Sequence, residues 1–316
     1  MEELKVNFGY FWDDFYKEDN MFTAILSKKY RVVLSDNPSF YFFTHPFDGK
    51  RDYLNYRCHR VFLNWENERT DWSCCDYTLG TDFDDNNPRH KRWPLWAVHN
   101  PEELTKSKDP ERFLLHKKKF ACMVVSNPYA KERIDFFNRL SKYKRIDSGG
   151  KYLNNVGGAV DSKLDFISNY KFVLSFENSS YPGYTTEKLI EPMLVNSIPI
   201  YWGNLKVGLD FNTRSFIHVN SFNSYDEAID YIIDLDNDDE KFLQMAAEPW
   251  FKNNRVPDEF CEQNLLDFFD FVVSDSKHKK PVAESLLLAN VHKAKILNNK
   301  VKAKIYKELG VHRGFR

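Results

Sequence analysis

The densest run of chemistry-bearing residues is FENSSYPGYTTEK, residues 176–188. It leaves an apolar run, crosses a Pro/Gly loop and enters a helical pattern, which places Glu187 and Lys188 in a first helical turn. Amides there lack intrahelical acceptors and point toward any bound anion. A lysine beside them adds a point charge suited to phosphate. Asn178 and Tyr184 offer amide and hydroxyl groups to a sugar, and Glu187 can accept from paired ribose hydroxyls. The same run can equally be a loop and a charged cap, with Glu187 answering the helix dipole. On the residues alone both readings stay open.

Three further candidates carry the same ambiguity. Arg133 opens the helical pattern after Val125-Ser-Asn-Pro128 and, rising from the same sheet edge as Lys188, could clamp a diphosphate with it; its neighbours Lys131 and Glu132 favour a solvated face. Glu66, in Asn64-Trp-Glu-Asn67, follows a strand, where a carboxylate beside an aromatic ring can become a general base. Trp65 and Trp72 could stack on sugar faces, although spacing alone favours an exposed carboxylate in a charged loop. Asp82-Phe-Asp84 has a metal-binding DxD spacing, but among 46 acidic residues it arises by chance, as Asp236-Asn-Asp238 illustrates. The nine histidines form no HExxH or HxH pattern, and no GxSxG or GxGxxG occurs. Gly149-Gly150 and Gly157-Gly158 bracket a segment expected to be a mobile loop.

These groups need strand ends and helix starts to hold them. Strands are expected at Leu4 to Phe11, Arg31 to Leu34, Ser39 to Thr44, Val61 to Leu63 and Tyr77 to Leu79, with a helix from Met21 to Tyr30. A polar, Pro-containing stretch follows from Asn86 to Asp109. Then come a strand at Phe120 to Val125, a helix started by Ser126-Asn-Pro128 over Ala130 to Tyr143, and a strand at Lys144 to Asp147. A helix over Asp161 to Tyr170, a strand at Phe172 to Phe176, a helix over Thr186 to Asn196, a strand at Ile198 to Tyr201 and a helix over Tyr225 to Leu235 complete the alternation. Strand and helix in alternation give parallel sheets covered by helices, with ligands at the carboxyl ends of strands. The reading is two α/β domains, residues 1–119 and 120–276, with a tail at 277–316.

The 316 residues are 42% hydrophobic and 16% aromatic, enough for two cores. The net charge of −1 excludes a surface built for nucleic acid. It hides an asymmetry: residues 277–316 carry eleven Lys or Arg against two Glu. Apolar residues at Leu287, Val291, Ala294, Leu297, Val301, Ile305 and Leu309 alternate there with lysines, and Gly310 supplies a stop. Such a helix either lies on the body of the protein or docks on anionic lipid. Five cysteines, two of them adjacent and none in CxxC, fit reduced thiols better than a disulfide framework or a zinc site. The start Met1-Glu-Glu-Leu-Lys lacks signal-peptide character, so a cytoplasmic protein is expected.

The stretch FENSSYPGYTTEKLIEPMLVNSIPIYWG, residues 176–203, resembles the signature of the α1,3/4-fucosyltransferases, glycosyltransferase family 10. Val61-Phe-Leu-Asn-Trp-Glu-Asn67, Tyr77 to Asp82 and Val124-Val-Ser-Asn-Pro128 resemble other blocks of the family in order, and the tract from Phe211 to Asp234 resembles bacterial members. The resemblance implies a GT-B fold, two Rossmann-like domains facing across a cleft, followed here by a helical tail. It implies GDP-fucose as donor, contacted by Asn178, Tyr184, Glu187 and Lys188, with Arg133 facing the diphosphate. Glu66 would be the general base, and no metal would be required. The implied reaction is inverting transfer of fucose to O3 of GlcNAc in an acceptor with terminal Gal-GlcNAc, giving a Lewis x-type product. Type 1 acceptors using the same residues, or a non-catalytic glycan- or sugar-nucleotide-binding protein, are the alternatives. Bacterial relatives also imply that the basic tail touches the inner membrane face peripherally.

Overall fold

The computed structural model describes residues 1–46, 51–84, 86–117 and 119–308. In chain order it lays down β1 (Glu3–Gly9), α1 (Met21–Ser27), β2 (Arg31–Leu34), β3 (Phe40–Phe43), β4 (His59–Asn64), β5 (Tyr77–Gly80) and β6 (His90–Arg92). Then follow α2 (Pro110–His116), β7 (Lys119–Met123), α3 (Lys131–Leu140), β8 (Ile146–Ser148), α4 (Lys163–Ile167), β9 (Tyr170–Phe176), α5 (Glu187–Leu194), β10 (Ile198–Trp202), β11 (Ile217–His218), α6 (Tyr225–Asn237) and α7 (Asp239–Ala247). The last two helices are α8 (Glu262–Ser276) and α9 (Leu286–Glu308). Two all-parallel sheets result, ordered β2-β1-β3-β4-β5-β6 and β11-β10-β9-β7-β8.

The described residues divide into two compact units, 1–94 with 258–308, and 95–257. The sequence reading draws its boundaries at 119/120 and 276/277 instead, and packing explains the difference. Trp96 is fully buried against Phe211 and Phe251, with ring centroids 4.9 and 5.8 Å away, so residues 95–117 join the second unit. Helix α8 carries Phe269 against Phe22 and Phe42 of the first unit, and Asp275 accepts from the Tyr77 hydroxyl at 2.9 Å.

In the first unit, period-two alternation along Phe40-Tyr-Phe-Phe43 covers both sheet faces. Phe42 stacks on Phe8 at 5.2 Å on the α1 and α8 side. Tyr41 stacks on Tyr56 at 4.1 Å and Phe43 on Tyr53 at 4.6 Å on the other. Helix α1 begins with a capping box: the Asn20 side chain accepts from the Phe22 and Thr23 amides, and Thr23 Oγ1 accepts from the Asn20 amide. The returning C-terminal segment is tied down by Asp76, whose carboxylate accepts from the Arg60 and Val282 amides at 2.8 and 2.7 Å.

Helix α9 is latched to the same unit through one buried side chain. His292 Nδ1 lies 2.9 Å from Asp71 Oδ2, and its Nε2 lies 2.7 Å from the Tyr53 hydroxyl. Asp71 also accepts from Lys295 at 2.5 Å and from the Ser73 hydroxyl at 2.6 Å. Beyond that latch Leu297, Val301 and Ile305 are exposed, as are Leu287 and Val291 before it. The helix therefore rests on the body by His292 and not by its apolar row. Leu309 and Gly310, the expected last apolar residue and stop, lie outside the described residues. Among the described residues no helix is long and apolar enough to cross a membrane.

In the second unit the apolar stripe of α3 (Phe136, Phe137, Leu140) packs with Phe172, Leu174, Phe176 and Ile200. Helix α3 starts at Lys131 with Ala130 as its uncapped first flank, so Pro128 precedes the helix and does not open it. The segment between the glycine pairs is tied down, contrary to the expected mobile loop. Asn155 Nδ2 donates to Ile146 O and Asn155 Oδ1 accepts from the Ser148 amide, both at 2.8 Å, while Asn154 Nδ2 donates to Gly150 O and Gly158 O. A Cβ at Gly150 would stand 2.0 Å from Val125 O, so only glycine fits where this segment crosses the end of β7.

The latch on α9 sets an expectation for stability. The Asp71 carboxyl is half-buried, which opposes ionisation, but His292, Lys295 and Ser73 hold it well below the usual carboxylate range. A depressed folded pKa stabilises fully above the unfolded value and is lost as pH falls through the folded one. Asp71→Asn should therefore melt below the parent at pH 7, and the gap should shrink below about pH 4. Melting temperatures across pH check this; a gap that does not change with pH would contradict it.

Candidate active site

Four of the five donor-side candidates make two direct contacts at the carboxyl edge of the second sheet, and the fifth, Tyr184, is buried in the same loop. Helix α3 turns Arg133 inward because it shares a stripe with Phe136, Phe137 and Leu140, spaced three, four and seven residues on. Arg133 is 1% exposed, which removes the solvated-face reading. Its Nη2 donates to Phe176 O at 2.6 Å and to Asn178 Oδ1 at 2.9 Å. Burial pulls its pKa down, while Glu177, Tyr184 and Glu187 push it back up. Its Nε is buried without a hydrogen-bond partner. Tyr184 is buried, and its carbonyl accepts from the Tyr201 hydroxyl at 3.4 Å.

Lys188 sits one residue inside α5, and its Nζ lies 3.1 Å from Glu187 Oε1, 3.1 Å from Thr186 Oγ1 and 3.5 Å from Glu177 Oε2. Burial lowers the Lys188 pKa, but Glu177 and Glu187 outweigh it and raise it above the ordinary value. Burial likewise raises Glu187, yet Lys188 and Lys163 hold it at about 2. Lys188 also lines a cavity with Val124, Val125, Lys163, Phe176 and Glu191, and Lys163 pairs with Glu191.

Two of the amides at this helix start are already occupied. The Thr186 amide donates to Glu177 Oε1 at 2.8 Å, and the Lys188 amide to Thr186 Oγ1 at 3.4 Å. Capping from within the chain has satisfied this helix start, leaving the Lys188 ammonium as the feature suited to an anion. Glu177, fully buried beneath it, escaped the sequence reading, although it stands next to Asn178 in the same run.

The first unit holds Glu66 at the bend after β4, half-buried. Trp65 is not a sugar platform: it is buried, its Nε1 donates to Trp93 O at 3.0 Å, and it stacks on Phe22. Trp72 is covered by the Arg89 guanidinium at 4.4 Å. Both DxD pairs have structural partners. Asp82 pairs with Arg69 and Asp84 accepts from Asn87. Asp236 pairs with Lys144 and Lys171, and Asp238 caps α7. Among the described residues, Asp71, Cys74 and His292 bring three metal-ligand atom types within 4.8 Å of one another, but Lys295 and Ser73 already bind that carboxylate. The five thiols are free, and only Cys261 is exposed.

Two family models match the chain: the C-terminal model of glycosyltransferase family 10 (fucosyltransferase) over residues 114–272, and the N-terminal domain of α-(1,3)-fucosyltransferase FucT over residues 6–99. The chain is 34% identical over 285 residues to the α-(1,3)-fucosyltransferase FucT of Helicobacter pylori, a match covering 78% of this chain and 60% of that protein. It is 36% identical over 146 residues to the 4-galactosyl-N-acetylglucosaminide 3-α-L-fucosyltransferase 9 of Mus musculus, covering 44% of this chain and 40% of that one. It thus spans less than two thirds of each of these curated relatives. A crystal structure of an α1,3-fucosyltransferase with GDP-fucose superposes with a TM-score of 0.69 at 28% identity, covering 90% of this chain and 91% of that one.

The Arg133 contacts predict that Arg133→Met, which keeps the apolar stem but strips the donors from Phe176 O and Asn178, loses about 1–3 kcal/mol of stability. Urea unfolding measures it; an unchanged midpoint would mean that the guanidinium does not hold the end of β9.

Proposed function

Because the chain belongs to glycosyltransferase family 10, the fucosyltransferases, we propose that it moves L-fucose from GDP-β-L-fucose to O3 of GlcNAc in an N-acetyllactosamine-type acceptor, with inversion. The observation that carries this reading is the Lys188 ammonium, held among Glu177, Thr186 and Glu187 at the start of α5. A nucleotide diphosphate brings the charge that such a cation meets. Asn178, fixed by Arg133, and Glu187, kept ionised, stand beside it to accept or donate hydrogen bonds to the sugar and ribose. Tyr184 lines the same loop.

The reaction is a single displacement at the anomeric carbon. Glu66 in the first unit takes the proton of the acceptor hydroxyl as its oxygen attacks, and the bond to the GDP β-phosphate oxygen breaks on the opposite face, which inverts the centre. Charge grows on the departing diphosphate, and Lys188 and the Arg133 charge stabilise it; one such electrostatic donor is worth about 100- to 1,000-fold in rate. General-base assistance is worth about 100- to 10,000-fold. Fucosyltransferases of this family use no metal cofactor, so the reading expects turnover in excess chelator.

For the tail, the exposed row of Leu297, Val301 and Ile305 with lysines at 293, 300, 302 and 304 supports peripheral contact with an anionic membrane.

Incubation with GDP-fucose, N-acetyllactosamine and excess EDTA should add one deoxyhexose mass to the acceptor, read by mass spectrometry. Glu66→Gln should keep GDP affinity while slowing transfer about 100- to 10,000-fold; an unmodified acceptor with the parent protein, or full turnover by the variant, would contradict the assignment. Replacing Leu297, Val301 and Ile305 by serine spares the His292 latch and should abolish sedimentation with phosphatidylserine-containing vesicles. Equal sedimentation of both proteins would leave the tail no lipid role.

A further inference from the structure

A fully buried carboxylate stands beside the Lys188 ammonium. Glu177 follows the last residue of β9, and its side chain is 0% exposed. Its amide donates to Trp202 O at 2.9 Å, which fixes its backbone to the neighbouring strand. One carboxylate oxygen accepts from the Thr186 amide and the other from the Thr186 hydroxyl, both at 2.8 Å. The second oxygen also lies 3.5 Å from Lys188 Nζ. The main chain makes room for this group: a Cβ at Gly203 would stand 2.6 Å from Glu177 Cγ.

A buried charge is costly unless paired and hydrogen-bonded. Here the partners are the cap residue of α5 and the cation two residues further on. We propose that Glu177 is a positioning residue: through Thr186 and through its own charge it fixes Lys188 as the cation that meets a nucleotide diphosphate. This rests on the GDP-fucose reading above. With both oxygens turned to Thr186 and no exposure, Glu177 cannot reach substrate, so its effect passes through Lys188.

The geometry has a consequence for protonation. Lys188 is faced by Glu177 from the end of β9, by Glu187 on its own helix and by Arg133 from α3, with Lys163 of α4 and Glu191 along the shared cavity. Burial raises the Glu177 pKa, while Lys188 and the two Thr186 hydrogen bonds draw it back toward the ionised form; ionised, it opposes the two pulls that would discharge the ammonium, burial and Arg133. A glutamine at 177 keeps the shape: its carbonyl can accept from the Thr186 amide and its amide can donate to the Thr186 hydroxyl. It removes the charge alone.

The test is GDP binding by calorimetry from pH 7 to pH 10, with parent, Glu177→Gln and Glu177→Asp compared so that the ionisation of GDP cancels. A raised lysine pKa keeps its effect below the ordinary value and loses it as pH rises through the raised one. The parent should hold GDP to higher pH than Glu177→Gln, whose alkaline limb should fall by about one to three pH units, the range for losing an opposite charge at this distance. Glu177→Asp should lie between them. A limb shared by parent and Glu177→Gln would overturn the role, since a merely structural residue would weaken binding equally at every pH. Should Glu177→Gln fail to fold, competitive acetylation of the parent followed by peptide mass spectrometry reads Lys188 directly. A half-reaction pH above that of surface lysines supports the role, and one at or below it refutes the role. Failure of the parent to bind GDP at all would instead remove the functional reading, a separate result from an unmoved limb.

Discussion

An ammonium group held between carboxylates at the start of a helix is the constraint on which the edge of the second sheet depends. Lys188 is largely withdrawn from solvent, which with Arg133 pulls its pKa down, while Glu177 and Glu187 outweigh them and raise it above the ordinary value. The three groups with Thr186 form a closed set in which every charge has a partner within 3.5 Å. The arrangement leaves two carboxylates about one ammonium, and an incoming diphosphate must compete with Glu187 for it. Arg133, buried on α3 and bound to Phe176 O and Asn178, supplies a second positive charge from beneath and keeps the strand end in register with the loop.

The first unit uses the same device for a structural end. Asp71 gathers His292, Lys295 and Ser73, and Asp76 gathers the Arg60 and Val282 amides, so the segment that returns after residue 258 is fastened by buried carboxylates. In both units a carboxylate partly or wholly withdrawn from solvent has its oxygens filled by donors of the same chain, which is what makes such burial affordable. The consequence differs by location. At the tail the result is a latch for α9; at the sheet edge it is a cation prepared for an anionic ligand.

Much of this was legible in the sequence. Parallel α/β order followed from the alternation of short β-branched or aromatic runs with helical periods, and Arg31–Leu34 was read to its last residue. The family signature fixed the run 176–203 before any coordinate. The short edge strands β6 and β11 were missed because three and two residues carry no period. Helix α8 went unassigned because Leu265, Leu266, Phe268, Phe269, Val272 and Val273 make a run too apolar to show a face. The charged neighbours of Arg133 favour a solvated face, whereas the family resemblance turns it toward the site; its spacing to Phe136, Phe137 and Leu140 is the signal in the residues that it faces inward. Glu177 left no signal, since whether an acid beside a polar loop is buried depends on Thr186 and Gly203, which only the fold brings to it. For the start of α5 the residues leave anion binding and capping both open, because a sequence shows which amides start a helix, not which side chains have already reached them.

The central claim is that Lys188 turns to a diphosphate, and a crystal structure of the protein with GDP tests it most directly. The account predicts a β-phosphate oxygen about 2.7–3.2 Å from Lys188 Nζ, with Glu177 still closed on Thr186. A diphosphate bound away from the 178–188 turn, with Lys188 unmoved on Glu187, would contradict it.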